Sequence, residues 1–141
     1  MKLSFVVPTY REELNIERHY QECIKSFHKI NEKYPQYESY EYLVIDNCSE
    51  DKTVEKVLAL REFDKNIKLY VNDKNYGPIL SPLEGLIKSS GDVACLIAAD
   101  LQEPPEVIIK FIESVEEGYE AAIGVKESRK ENLLMWNLRG I

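Results

Sequence analysis

Short apolar runs that stop abruptly in polar loops, with helical patterns between them, constrain this chain more than any other feature. Leu3 to Val7 is the first run, closed by Pro8, and Tyr42 to Ile45, Ile67 to Val71, Val93 to Ile97 and Tyr119 to Val125 follow it. Each has strand length and strand composition. Between them, apolar residues recur at steps of three and four. From about Glu13 to Lys33 these are Ile16, Tyr20, Cys23, Ile24, Phe27 and Ile30. Val54, Val57 and Leu58 mark a second helix, capped by Ser49 or Asp51. Ser81-Pro82-Leu83-Glu84 has the form of a capping box with proline at the first helical position, opening a third helix that stops near Gly91. Pro104 to Glu117 is the fourth, with Ile108, Phe111, Ile112 and Val115 inward and Gly118 as terminator. Strand and helix in alternation predict a layered α/β fold around a mostly parallel sheet.

Composition narrows the function. At 141 residues the chain is one domain with an ordinary charged fraction of 30%. A net charge of −7 argues against a nucleic-acid partner, whose phosphates it would repel. A nucleotide stays compatible, because a bound divalent cation reverses the local field. Cys23, Cys48 and Cys95 are widely spaced, with no zinc-type pairing or disulfide framework, which favours a reducing setting. Cys23 and Cys95 fall at core positions; His19 and His28 fall on the first helix, where surface or core roles suit them better than catalysis. Met1-Lys2 leads directly into a strand, without a signal peptide. The apolar runs fall well short of the roughly 20 residues a membrane helix needs. Four tyrosines near Tyr34 to Tyr40 are a candidate contact surface.

Open α/β sheets bind ligands beyond the carboxyl ends of their strands. Four polar loops stand there: Val7 to Glu13, Ile45 to Thr53, Asn72 to Gly77 and Ala98 to Glu106. In the last, the Asp100 carboxylate and the Gln102 amide are hard oxygen ligands suited to Mg²⁺ or Mn²⁺. No glycine-rich turn follows the first strand, which argues against a dinucleotide-binding oxidoreductase.

In order and spacing these loops resemble the nucleotide-sugar-binding half of a family 2 glycosyltransferase with the GT-A fold, from Leu3 to about Arg129. The resemblance implies a Rossmann-like layered domain over residues 1–129. Residues 130–141 would be the start of an acceptor-side segment, truncated at the C-terminus. Pro8, Thr9, Tyr10 and Glu12 resemble the loop that walls the nucleobase and ribose, with Glu13 an equally acceptable partner to Glu12. Asp46 matches the first acid of an Asp-Asp-Gly-Ser-type loop that hydrogen-bonds the base; Asn47 and Cys48 replace the second Asp and the Gly. Asn75, Gly77, Gly85, Gly91 and Asp92 resemble the segment leading into the metal strand, with Pro78 where a basic residue is common and Gly91-Asp92 as a helix stop.

The family's Asp-x-Asp is altered here: Ala98 replaces the first acid and Asp100 remains, joining the donor site and the metal. Gln102 matches a metal ligand of the subgroup that shares the Leu-Gln-Glu-Pro-Pro run, which is similar to dolichyl- and undecaprenyl-phosphate sugar transferases. Lys126 and Arg129 stand where that subgroup has basic residues facing phosphates. The implied activity is transfer from a nucleoside-diphosphate sugar to a polyprenyl phosphate or glycan, with Mg²⁺ or Mn²⁺. The setting would be cytoplasmic, at the inner face of the cell membrane in the full-length protein, in cell-envelope polysaccharide synthesis. Any catalytic base would lie beyond Ile141. The degenerate Asp-x-Asp leaves a second reading, an inactive nucleotide-binding or scaffolding module. Leu133, Leu134, Met135 and Trp136 form an apolar face expected to favour homo-oligomers.

Overall fold

The computed structural model describes residues 1–125, in which strand and helix alternate throughout. The elements are β1 (Lys2–Thr9), α1 (Ile16–Lys33), β2 (Ser39–Asp46), α2 (Thr53–Phe63), β3 (Ile67–Val71), α3 (Gly77–Lys88), β4 (Val93–Leu96) and α4 (Val107–Glu116). The strands form one sheet in the order β3-β2-β1-β4, and every neighbouring pair is parallel.

A parallel sheet is covered on both faces, so its central strands carry unbroken apolar runs, Phe5 to Val7 in β1 and Tyr42 to Ile45 in β2. Alternate residues of β1 go to opposite layers. Leu3, Phe5 and Val7 join Tyr42 and Val44 of β2 against Ile16, Cys23, Phe27 and Ile30 of α1, Val57 of α2, and Ile108 and Ile112 of α4. Each such fully buried aliphatic side chain contributes about 1.5–3 kcal/mol. Val6, Leu43 and Ile45 form the smaller cluster on the opposite face. There α3 comes so close that a Cβ at Gly85 would lie 2.5 Å from Val6 and 2.9 Å from Ile45. Gly85 is therefore what lets α3 seat on the sheet.

Polar residues at the amino end of this second face are gathered around one buried carboxylate. Glu41 accepts hydrogen bonds from the Ser4 hydroxyl at 2.6 Å and the Ser90 amide at 2.6 Å. It also pairs with Lys68 at 2.6 Å and Lys2 at 3.2 Å. Burial alone would raise its pKa, but these partners outweigh it and hold the carboxyl well below the usual carboxylate range.

Several elements depart from the sequence expectation. No strand forms at 119–125: Ile123 and Val125 are exposed, and the segment runs beside the β4 edge across a cavity of about 570 Å³. A strand exists only by pairing, and this gap leaves the segment without a ladder. The third helix starts at Gly77, not at a Ser81 cap. Gly77 takes φ +83°, its amide donates to Asn75 Oδ1 at 2.8 Å, and Pro78 enters the first turn. Ser81 is instead buried, within 3.4 Å of the Asn72 amide nitrogen. Gly91 is no helix stop, since α3 ends at Lys88; a Cβ there would strike the β1 backbone, 2.8 Å from the Lys2 carbonyl. The tyrosines are not a contact surface, because Tyr37 and Tyr42 have no exposure. Gly118 does terminate α4, with φ +98° and its amide bonded to Val115 O at 2.9 Å.

Candidate functional site: the crevice between β1 and β4

From β1 the chain builds β2 and β3 to one side, then crosses to place β4 on the other. That reversal is a topological switch point, where open α/β sheets bind ligands. Pairing between β1 and β4 ends at Val6 and Leu96, with one more bond from the Ile97 amide to Val6 O at 3.0 Å. Pairing between β1 and β2 continues to Thr9 and Asp46. The strands therefore part where β4 turns away, and a cavity of about 390 Å³ opens there. Pro8, Thr9, Tyr10, Asn47, Pro78 and Ala98 are among its lining residues.

The loops around this crevice are knitted together by side chains. Asp46, fully buried, accepts the Thr9 hydroxyl at 2.9 Å and the Ser49 hydroxyl at 2.6 Å on one oxygen. Its other oxygen accepts the Ser49 amide at 2.8 Å. Ser49 Oγ in turn accepts the Arg11 amide at 2.9 Å. Thr53 Oγ1 accepts the Glu12 amide at 2.8 Å, and Glu13 accepts the Lys52 amide at 2.9 Å. On the far side, Asn47 donates to Asn75 Oδ1 at 2.7 Å and accepts the Tyr76 amide at 2.8 Å.

The left-handed region is costly for residues with a Cβ. Among the described residues, the non-glycines found there are Arg11 (φ 56°), Cys48 (φ 64°) and Leu101 (φ 58°). All three lie in loops at strand carboxyl ends. Cys48 occupies such a position where the resembled family has a glycine, so the loop keeps the shape despite the substitution.

Asp100 and Gln102 are exposed on the turn after β4, and the Gln102 amide donates to Asp100 Oδ1 at 3.1 Å. Half-buried Glu12 is raised above its ordinary pKa, first by burial and then by the nearby charges of Asp100 and Asp51. Beneath the turn, burial pushes the His19 imidazole down to about 4. Among the described residues no group of three His, Cys, Asp or Glu side chains is placed to hold a metal. The pair on the turn, one carboxylate and one amide oxygen, fits a cation whose shell is completed by a ligand's phosphates, and does not fit a closed protein cage.

Of the residues singled out in the sequence, Pro8, Thr9 and Tyr10 line the crevice, with Asp100 and Gln102 on the turn beyond it. Asp46 and Asn75 serve as latches between loops. Glu12 bonds Asn15 at 3.0 Å. Lys126, Arg129 and the Leu133 to Trp136 face lie outside the described residues. Sequence reasoning gave Asn47 only as a replacement within a motif, and His19 only as a surface or core position of the first helix, of which the structure shows the core one. His19 does carry a signal, since Ile16, His19, Cys23, Ser26 and Ile30, all buried, follow one inward stripe at steps of three and four. No helix among the described residues is long and apolar enough to cross a membrane.

Comparison with known proteins agrees with this geometry. A dolichol-phosphate mannosyltransferase of Pyrococcus furiosus is 36% identical over 135 residues, covering 94% of this chain but only 36% of that protein. Two solved structures share the fold. A Pyrobaculum calidifontis mannosyltransferase in complex with GDP-Man and Mn²⁺ matches with TM-score 0.63 and 21% identity, over 79% of this chain and 31% of that one. Staphylococcus aureus TarS 1-349 in complex with UDP-GlcNAc matches with TM-score 0.61 and 24% identity, over 94% and 39%. The layered fold with its parallel sheet is thus the GT-A fold. The sequence profile of glycosyl transferase family 2 matches residues 4–140, nearly the whole chain, and the chain belongs to that family.

Proposed function

We propose that this chain is the donor-binding portion of a glycosyltransferase that takes a sugar from a nucleoside diphosphate. The observation that carries this is the convergence of the loops after β1, β2 and β4 on one crevice at the switch point. Pro8, Thr9 and Tyr10 wall the nucleoside. Asp46, Asn47 and Asn75 hold that wall in shape, and Glu12 closes its outer side. Asp100 and Gln102 hold Mg²⁺ or Mn²⁺ jointly with the diphosphate. When bound there, the cation supplies stabilisation of the charge that grows on the leaving phosphate.

The likeness to a dolichol-phosphate mannosyltransferase favours a polyprenyl phosphate as acceptor. Such an acceptor is already anionic and needs little deprotonation, with Lys126 and Arg129 as its phosphate partners or the donor's. Residues 1–129 form the donor domain on this reading. The setting is the cytoplasmic face of a membrane.

Titration calorimetry with UDP and with GDP, each with and without Mn²⁺, tests the proposal. At least one nucleotide binds more tightly with Mn²⁺, Asp100→Asn removes that gain, and Ala98→Asp, which restores a second acid, enlarges it. A ligand at 100 times its dissociation constant also stabilises the fold by about 2.7 kcal/mol. Absence of binding by either nucleotide, or an equal Mn²⁺ gain in Asp100→Asn, contradicts it. Binding without transfer to a polyprenyl phosphate by the full-length protein supports the inactive-module reading instead, for which Ala98 is the motivating residue.

A further inference from the structure

A proline stands inside α3, at position 82, and the helix runs on through it from Gly77 to Lys88. Each α-helical carbonyl accepts the N–H four residues later. The partner of the Pro78 carbonyl would be the nitrogen of Pro82, which carries no hydrogen, and the Pro82 ring pushes that carbonyl off the helix. Pro78 itself costs little, because it sits in the first turn, where its own missing N–H has no intrahelical use. One proline is thus tolerated by its place, while the other sets a backbone oxygen loose.

That oxygen lies on the crevice side of α3. Residues four apart share a helix face. Pro78, Ser81 and Pro82 all line the crevice of about 390 Å³, and Ser81 and Gly85, on the same face, are buried. The donor site described above gives a nucleobase walls but no acceptor. Both oxygens of Asp46 are taken by Thr9 and Ser49. Asn47 Oδ1 accepts the Tyr76 amide at 2.8 Å, and its nitrogen donates to Asn75 at 2.7 Å. Glu103 also lines the crevice, but on the acidic turn, where the cation and the diphosphate are assigned. A base held alone in a pocket is read by stacking on its faces and hydrogen bonds to its Watson–Crick edge. Pro8 and Tyr10 offer the faces. We propose that Pro82 determines base recognition: it frees the Pro78 carbonyl to accept the imide N–H of the donor's base, N3–H of uracil or N1–H of guanine. This assignment rests on the donor-site reading above.

The test compares wild type with two changes at one position. Pro82→Ala restores the N–H that recaptures the Pro78 carbonyl. Pro82→lactic acid, an ester in place of the amide, has the same methyl side chain but still no N–H. Calorimetry with Mn²⁺ uses UDP, GDP, their N3- and N1-methylated forms, and ribose 5-diphosphate, which has no base. Wild type should bind the parent nucleotide about tenfold more tightly than its methylated form, the worth of one hydrogen bond. Pro82→Ala should lose about that factor for the parent nucleotide and keep its affinity for ribose 5-diphosphate; the lactic acid variant should bind like wild type. Equal affinities in the two variants overturn the proposal, as does a matching loss for ribose 5-diphosphate. A measurement on wild type alone guards against a variant that fails to fold. The ¹³C resonance of the Pro78 carbonyl should move with the parent nucleotide and stay in place with ribose 5-diphosphate; an unmoved resonance with both overturns the assignment. If neither UDP nor GDP binds wild type, the donor-site reading falls and this inference with it. If one binds and Pro82→Ala matches wild type, this inference alone falls.

Discussion

Asp46 acts on the crevice without reaching it. Its carboxylate joins the end of β1 to the loop after β2 through Thr9 and Ser49, and the same Ser49 hydroxyl receives the Arg11 amide. Asp46→Asn keeps the volume but turns an acceptor into a donor facing a hydroxyl or an amide. The expected cost is about 1–3 kcal/mol in urea unfolding, with weaker nucleotide binding in proportion to the loosened wall. Unchanged stability and affinity would show that the latch is incidental. This residue also marks the limit of sequence reading. An acid after the second strand points to the right loop, but only the register that sets Thr9 beside Asp46 tells a latch from a ligand contact. Asn47, an apparent substitution in a motif, proves to be the tie to Asn75 and Tyr76 for the same reason.

Among the elements, strands buried on both faces were legible because an unbroken apolar run has few other uses. Helix starts were less so, because their partners come from other loops. The α1 entry is fixed by Thr53 and Asp51, which accept the amides of Glu12 and Glu13 at 2.8 and 3.2 Å. The expected fifth strand failed for want of a neighbour, a fact of tertiary placement. Packing of α3 and α1 also makes stability depend on pH. His19 is shifted down, so its share is present above the unfolded value of about 6.5 and is lost as pH falls toward about 4. Glu41, also shifted down, contributes fully above the unfolded value of about 4.3 and loses that contribution below it. Glu12, shifted up, opposes this trend only near its own titration. Urea midpoints measured from pH 7 to pH 3 should therefore fall throughout. His19→Gln should flatten the upper part of the fall and Glu41→Gln the lower part, the latter also losing about 1–3 kcal/mol at pH 7. Profiles parallel to wild type would refute both assignments.

For the molecule as a whole, the strand order decides what the ends of the sheet do. At the amino end, Lys2, Ser4, Lys68 and Ser90 all attend to Glu41. At the carboxyl end, the loops hold each other in strained shapes around an open crevice. One end consumes its polar groups internally, and the other leaves Tyr10, Asp100 and Gln102 exposed. The alternating pattern made this architecture legible. The crossing of β4 to the far side of β1, which creates the crevice, was not legible, because nothing local records strand order. Chemical-shift mapping of isotope-labelled protein with a nucleoside diphosphate and Mg²⁺ tests whether the donor sits in this crevice. Shifts are expected only at the amides of residues 8–13, 46–53, 72–78 and 98–102, with residues 36–41, 64–67 and 89–92 at the opposite end unmoved. Shifts centred on that amino end, or no shifts with either uridine or guanosine diphosphate, would contradict that placement.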